Sequence, residues 1–97
     1  MEPLCGGFGN VQQANDDIRS LTIQVKPEVE SKLGKTYNSF ESVSFTSQIV
    51  AGTCYKVKVK VGDNEYIHVK FAKTLPCYGG QIKFIEAQDG KTLADAL

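Results

Sequence analysis

The 97-residue sequence has no tryptophan, one histidine and only three cysteines. It lacks any apolar run near the roughly 18 residues that a membrane-spanning helix requires. It also lacks an excess of either charge, because eleven Lys and Arg balance eleven Asp and Glu. Nowhere do five or six like charges run together. Counterion release needs a clustered basic face, so nucleic acid and acidic membranes are excluded as principal partners. Lys56, Lys58 and Lys60 come nearest to such a face, and their period of two reads as the solvated side of a strand.

Cys5, Cys54 and Cys77 leave at least one thiol unpaired by count, and no CxxC or Cys/His spacing suits a metal. No metal or cofactor is expected. The opening Met1-Glu2-Pro3-Leu4 lacks the basic and apolar stretches of a secretory signal, so a reducing, cytoplasmic setting is expected. A cysteine nucleophile would need a base, and His68 is the single histidine; a Cys54–His68 pair is the one dyad conceivable. With no paired carboxylates and no glycine-rich phosphate loop beside it, the chain does not read as an enzyme.

No linker, repeat or composition break divides the chain, which predicts one domain over 1–97. The first dozen residues carry Gly6, Gly7 and Gly9 and read as an extended N-terminal arm. From Asn15 the period becomes helical, with Ile18, Leu21, Val25, Val29 and Leu33 on one stripe. Asn15 suits a cap, Asp16 and Asp17 suit the first turn, Glu28 and Lys32 are spaced as a pair, and Gly34 suits a stop. Pro27 stands inside this stripe and, on local grounds, predicts a kink or a restart.

After Gly34 the period becomes two. Runs at Phe40–Gln48, Tyr55–Val61 and Ile67–Phe71, then a short Gln81–Ala87, give four antiparallel strands, with turn chemistry at Gly62-Asp63-Asn64. The expected fold is α+β: one amphipathic helix covering a face of an antiparallel meander. Between the first two runs lies Gln48-Ile49-Val50-Ala51-Gly52, where a turn must fall. β-Branched residues resist tight turns. Either Ile49 and Val50 continue the ladder, or stability has been given up to present apolar groups to a partner.

That pentapeptide resembles the Gln-Val-Val-Ala-Gly signature of the cystatin superfamily, with one Val-to-Ile change. Gly6-Gly7 near the start, Val25-Lys26-Pro27 in the helix, Val61-Gly62-Asp63-Asn64 at a hairpin and Leu75-Pro76 at the next loop resemble the stefins, in the same order, over residues 4 to 76. The resemblance implies a helix wrapped by an antiparallel sheet and reversible, non-covalent inhibition of papain-like cysteine proteases such as cathepsins. It implies a disulfide-free chain and a helix that runs through Pro27.

It also implies the site. Leu4 fills an apolar subsite with Cys5 beside it, and Gly6 lets the arm approach the protease backbone. Gln48 anchors the first loop by hydrogen bonding, Ile49, Val50 and Ala51 bury in the cleft, and Gly52 frees the turn. Leu75 and Pro76 form the second loop. Cys54 and Cys77-Tyr78-Gly79-Gly80 depart from the familiar pattern, and Glu86–Leu97 matches it loosely. A monomer is expected. The alternatives are an assembly-prone relative, in which the first loop straightens and the arm and helix exchange between two copies, and a binding scaffold with another target.

Overall fold

A computed structural model describes residues 9–50, 52–74 and 80–97, with Val50 described by its backbone alone. The elements are β1 (Gln12–Gln13), α1 (Asp16–Leu33), β2 (Glu41–Val50), β3 (Gly52–Gly62), β4 (Glu65–Lys73) and β5 (Ile82–Lys91). All strand pairs are antiparallel, in the order β1-β2-β3-β4-β5. This is the α+β plan expected, with two additions. Gln12–Gln13 of the arm joins the sheet against Phe45 and Ser44, and β5 runs on to Lys91.

Helix α1 begins where the Asn15 side chain accepts the Ile18 N–H at 2.9 Å, and ends where Gly34 takes φ +67° and donates its N–H to Glu30 O at 2.9 Å. Ile18, Thr22, Val25 and Val29 are buried against the sheet, while Leu21 and Leu33 flank them half-buried. Thr22 is a polar residue in this stripe, and its hydroxyl donates to Ile18 O at 2.6 Å, so its burial costs little. The Glu28–Lys32 pair does not form; the helical ion pair is Arg19–Asp16, at 3.3 Å.

Pro27 does not break the helix. It deprives Ile23 O of its hydrogen bond, yet Ile23 and Pro27 both face outward, so solvent can reach the freed carbonyl. The local expectation of a restart is therefore corrected by where the helix faces.

The helix covers the face bearing Phe45, Val57, Val69 and Ala87, aligned across four strands, and the adjacent row Tyr55, Phe71 and Phe84. Tyr55 and Phe71 stack obliquely at 5.3 Å between ring centroids. A bulge between Ser42 and Ser44 leaves Val43 outside the ladder, and Val43 O accepts from Ala14 N instead.

The opposite face holds a second correction. Lys58 is 5% exposed rather than solvated. The segment after β5 crosses over it, and Lys58 Nζ donates to Leu93 O at 2.6 Å and to Asp95 O, while Lys56 Nζ donates to Leu97 O at 3.2 Å. Charge-assisted bonds to carbonyls make this burial tolerable. His68, opposite Lys58, is pushed down to about 4 by burial first and then by Lys58 and Lys91.

Candidate functional site

One end of the sheet collects the segments singled out by sequence. The β2–β3 ladder continues through Gln48↔Cys54 and Ile49↔Thr53 to Val50↔Gly52. Ile49 is in the ladder, and the residue is 81% exposed. Backbone pairing fixes the position of the residue while its apolar surface faces water. Such an arrangement is costly for a monomer and useful for docking.

Gly52 does more than free the turn. It takes φ +114°, and a Cβ there would lie 2.5 Å from Lys73 O and 3.2 Å from the Thr74 Cα. The missing side chain lets the end of β4 close on the hairpin tip. Beyond it, Thr74 N donates to Gln81 O at 2.8 Å and Gln81 N donates to Thr74 Oγ1 at 2.7 Å. This reciprocal pair closes the neck of the β4–β5 connection, 75–80. A row running Ile49, Thr53, Lys73, Ile82 thus crosses four strands beneath both connections.

The N-terminal segment reaches the same end. Gly9 N donates to Ser47 O at 3.2 Å, and Thr46 Oγ1 donates to Gly9 O at 2.7 Å. The chain therefore enters the sheet alongside β2 from the hairpin side, since β1 pairs further back at Phe45.

Of the ten candidate residues, Gln48, Ile49 and Gly52 are brought together here. Leu4, Cys5, Gly6, Ala51, Leu75 and Pro76 lie outside the described residues, as does the side chain of Val50. The anchoring role expected of Gln48 is not met by its carbonyl: Gln48 Oε1 is buried with no hydrogen-bond partner among the described residues. Its neighbour across the ladder, Cys54, is disulfide-bonded and has no S–H to donate. That bond also overturns the expectation of a disulfide-free chain. The conceivable Cys54–His68 dyad fails as well, because Cys54 pairs with Ala72, four residues or about 13 Å along β4 from His68.

Thr74 and Gln81 were not singled out by sequence reasoning, and their signal is weak: a hydroxyl seven residues from a partner across a Gly-Gly loop. A hollow of about 380 Å³ lies at the other end of the sheet, between Lys35, Tyr37, Glu65 and Asp89. Lys35 and Asp89 pair across it at 3.1 Å. Among the described residues no group of His, Cys, Asp and Glu is placed to hold a metal ion, and no helix is long and apolar enough to cross a membrane.

Comparison with known proteins adds an independent line. Residues 6–94 match the cystatin domain family. The chain is 38% identical over 97 residues to cystatin-B of Oplegnathus fasciatus, spanning 100% of this chain and 97% of that one. It is 41% identical over 96 residues to leukocyte cysteine proteinase inhibitor 1 of Sus scrofa, spanning 99% and 93%. With cystatin-A of Felis catus it shares 38% identity over 92 residues, spanning 95% and 94%.

Proposed function

The chain belongs to the cystatin family and is of the stefin type, and on that premise we propose that it is a reversible, tight-binding, non-covalent inhibitor of papain-like cysteine proteases, acting as one 1–97 unit and not as an enzyme. The observation that carries the reading is Ile49, four-fifths exposed at the tip of a ladder whose backbone is already fixed. An apolar residue held this way loses little entropy on docking, and burying it in a cleft contributes about 1.5–3 kcal/mol.

The inhibitor works as a wedge with three contacts. Leu4, Cys5 and Gly6 occupy the non-primed side, Gln48 to Gly52 fill the middle of the cleft, and Leu75 and Pro76 reach the primed side. Support for this assignment comes from Gly9, Gly52 and the Thr74–Gln81 neck, which direct the three segments to one end. No inhibitor peptide bond is offered to the protease thiol, so the complex forms without cleavage. Several anchors on one scaffold favour slow dissociation. The edge is mainly apolar and the chain has no net charge, so binding depends weakly on salt.

The preferred targets in this reading are cathepsin-type enzymes, met by a monomer in the cytoplasm; cell fractionation tests the compartment. Titration of active-site-counted papain tests the function. Activity is expected to fall linearly to zero at one inhibitor per enzyme, with the inhibitor eluting as a monomer in size-exclusion chromatography. Full activity beside an excess of folded monomer contradicts the reading.

A further inference from the structure

Residues 92–97 follow β5 and cross the sheet face opposite the helix. A turn starts the crossing: Thr92 N donates to Asp95 Oδ2 at 2.7 Å, and Asp95 N donates to Thr92 O at 3.2 Å. The carbonyls of Leu93 and Asp95 both accept from Lys58 Nζ, and Leu97 O accepts from Lys56 Nζ at 3.2 Å. Little apolar surface holds the segment down, since residues 92–96 are exposed, Leu93 by 60%, and Leu97 is half-buried. Its attachment therefore rests mainly on lysine–carbonyl bonds, and an element held in this way opens before the core does.

A hollow of about 160 Å³ lies beneath it, lined by His68, Glu86 and Gln88 of the sheet and by Leu97 of the segment. His68 Nε2 is buried there with no hydrogen-bond partner among the described residues. A neutral ring tolerates that position, whereas a protonated ring brings a second N–H and a charge that need water or an acceptor. The charged groups around the ring are Lys56 and Lys58 on β3, Lys91 and Glu86 on β5, Lys70 on β4 itself and Asp95 on the segment. From β2, Ser44 and Thr46 stand opposite Lys58 and Lys56 and carry no charge. Cations outnumber carboxylates in this set, so a charge on the ring is disfavoured while the segment is closed.

We infer that residues 92–97 form a pH-released strap, closed over the sheet at neutral pH and lifted when His68 takes up a proton, while the helix and sheet stay folded. Lifting opens Nε2 to water and lets Lys58 turn from the ring once Leu93 and Asp95 have left it. The closed state holds the ring proton only near pH 4, because of burial first and then Lys58 and Lys91, whereas the open state holds it nearer the ordinary 6.5. Falling pH therefore shifts the balance toward the open state. Closure is at full strength above about pH 6.5 and weakens as pH falls toward 4.

The test follows amide-nitrogen relaxation dispersion and the His68 ring resonances of the isotopically labelled chain, in steps from about pH 7 to about pH 4.5. The open population of residues 93–97 is expected to rise about ten- to 100-fold over that range, in step with protonation of the ring. Hydrogen exchange in α1 and β3, corrected for its intrinsic pH dependence, should show the core still closed. His68→Gln keeps a neutral, polar side chain at every pH and should hold the open population within about twofold across the range. A segment that stays closed throughout overturns the inference, and so does one that opens only together with α1 and β3. An equal rise in His68→Gln overturns it as well, by removing the ring from the cause. If that variant does not fold, the unsubstituted chain decides alone: opening that departs from the ring's own titration contradicts the strap.

Discussion

Strand β3 ends in two turns of opposite character. At Gly62 it closes onto Glu65 through Asp63 and Asn64, polar residues of which Asn64 takes φ +60°, and a Cβ on Gly62 would meet only the Glu65 side chain, at 3.3 Å. At Gly52 it closes through apolar residues, with Ile49 exposed and no room for a Cβ against the Lys73 backbone. The first turn has only to reverse the chain and uses residues suited to that. The second gives up turn propensity and exposes apolar surface, and its glycine serves packing against β4. Where one strand carries both solutions, the costly one marks the working surface.

Substituting the two glycines breaks this comparison most severely. Gly52→Ala forces a Cβ against Lys73 O at a positive φ, and is expected to cost about 2–4 kcal/mol of stability and to abolish tight inhibition. Gly62→Ala meets only a movable side chain and should cost under about 1 kcal/mol with inhibition retained. Denaturant titration and protease titration of the two variants check this. If both lose the same stability, Gly52 is an ordinary turn residue.

A smaller effect is expected at the neck. Thr74→Val removes the acceptor for Gln81 N but keeps the shape, so stability should fall by about 1 kcal/mol and the inhibitor should dissociate about three- to tenfold faster. Dissociation measured by displacement with excess substrate reports it. An unchanged rate would separate the second connection from the site.

The smallest effect on inhibition concerns His68, on the face covered by the segment after β5. Folding holds its ring deprotonated down to about pH 4, whereas the unfolded chain takes up the proton near the ordinary 6.5. The unfolded state therefore binds more protons between these values. Stability is complete above about pH 6.5 and is lost as pH falls toward 4, by roughly 1–2 kcal/mol once the partly exposed residue is discounted for solvent screening. His68→Gln should flatten that slope in thermal unfolding while leaving dissociation from a protease at neutral pH unchanged.

Local chemistry was readable in advance wherever it decided the outcome. Asn15 and Gly34 bound the helix because capping depends on neighbours three and four residues away. The strands followed from period-two runs, and the odd tip from β-branched residues where a turn must fall. What was not readable depends on distant contacts. Pro27 is tolerated because of the direction in which Ile23 O faces, and Lys58 is buried because Leu93 and Asp95 return to it 35 and 37 residues later. Likewise, the need for glycine at position 52 comes from Lys73. Gln48 matched a motif, yet its carbonyl finds no partner among the described residues.

The contrast between the two ends of β3 is tested most directly by dissociation of two charge-introducing variants, Ile49→Asp at one turn and Asn64→Lys at the other, from the same papain-like protease. Ile49→Asp replaces an exposed apolar group with a charge that would be desolvated in the cleft, and should dissociate about 100-fold faster or more than the unsubstituted chain. Asn64→Lys should remain within roughly twofold of it. Equal rates for the two variants, or a larger loss at Asn64, would contradict the claim that the apolar hairpin end is the surface that meets the protease.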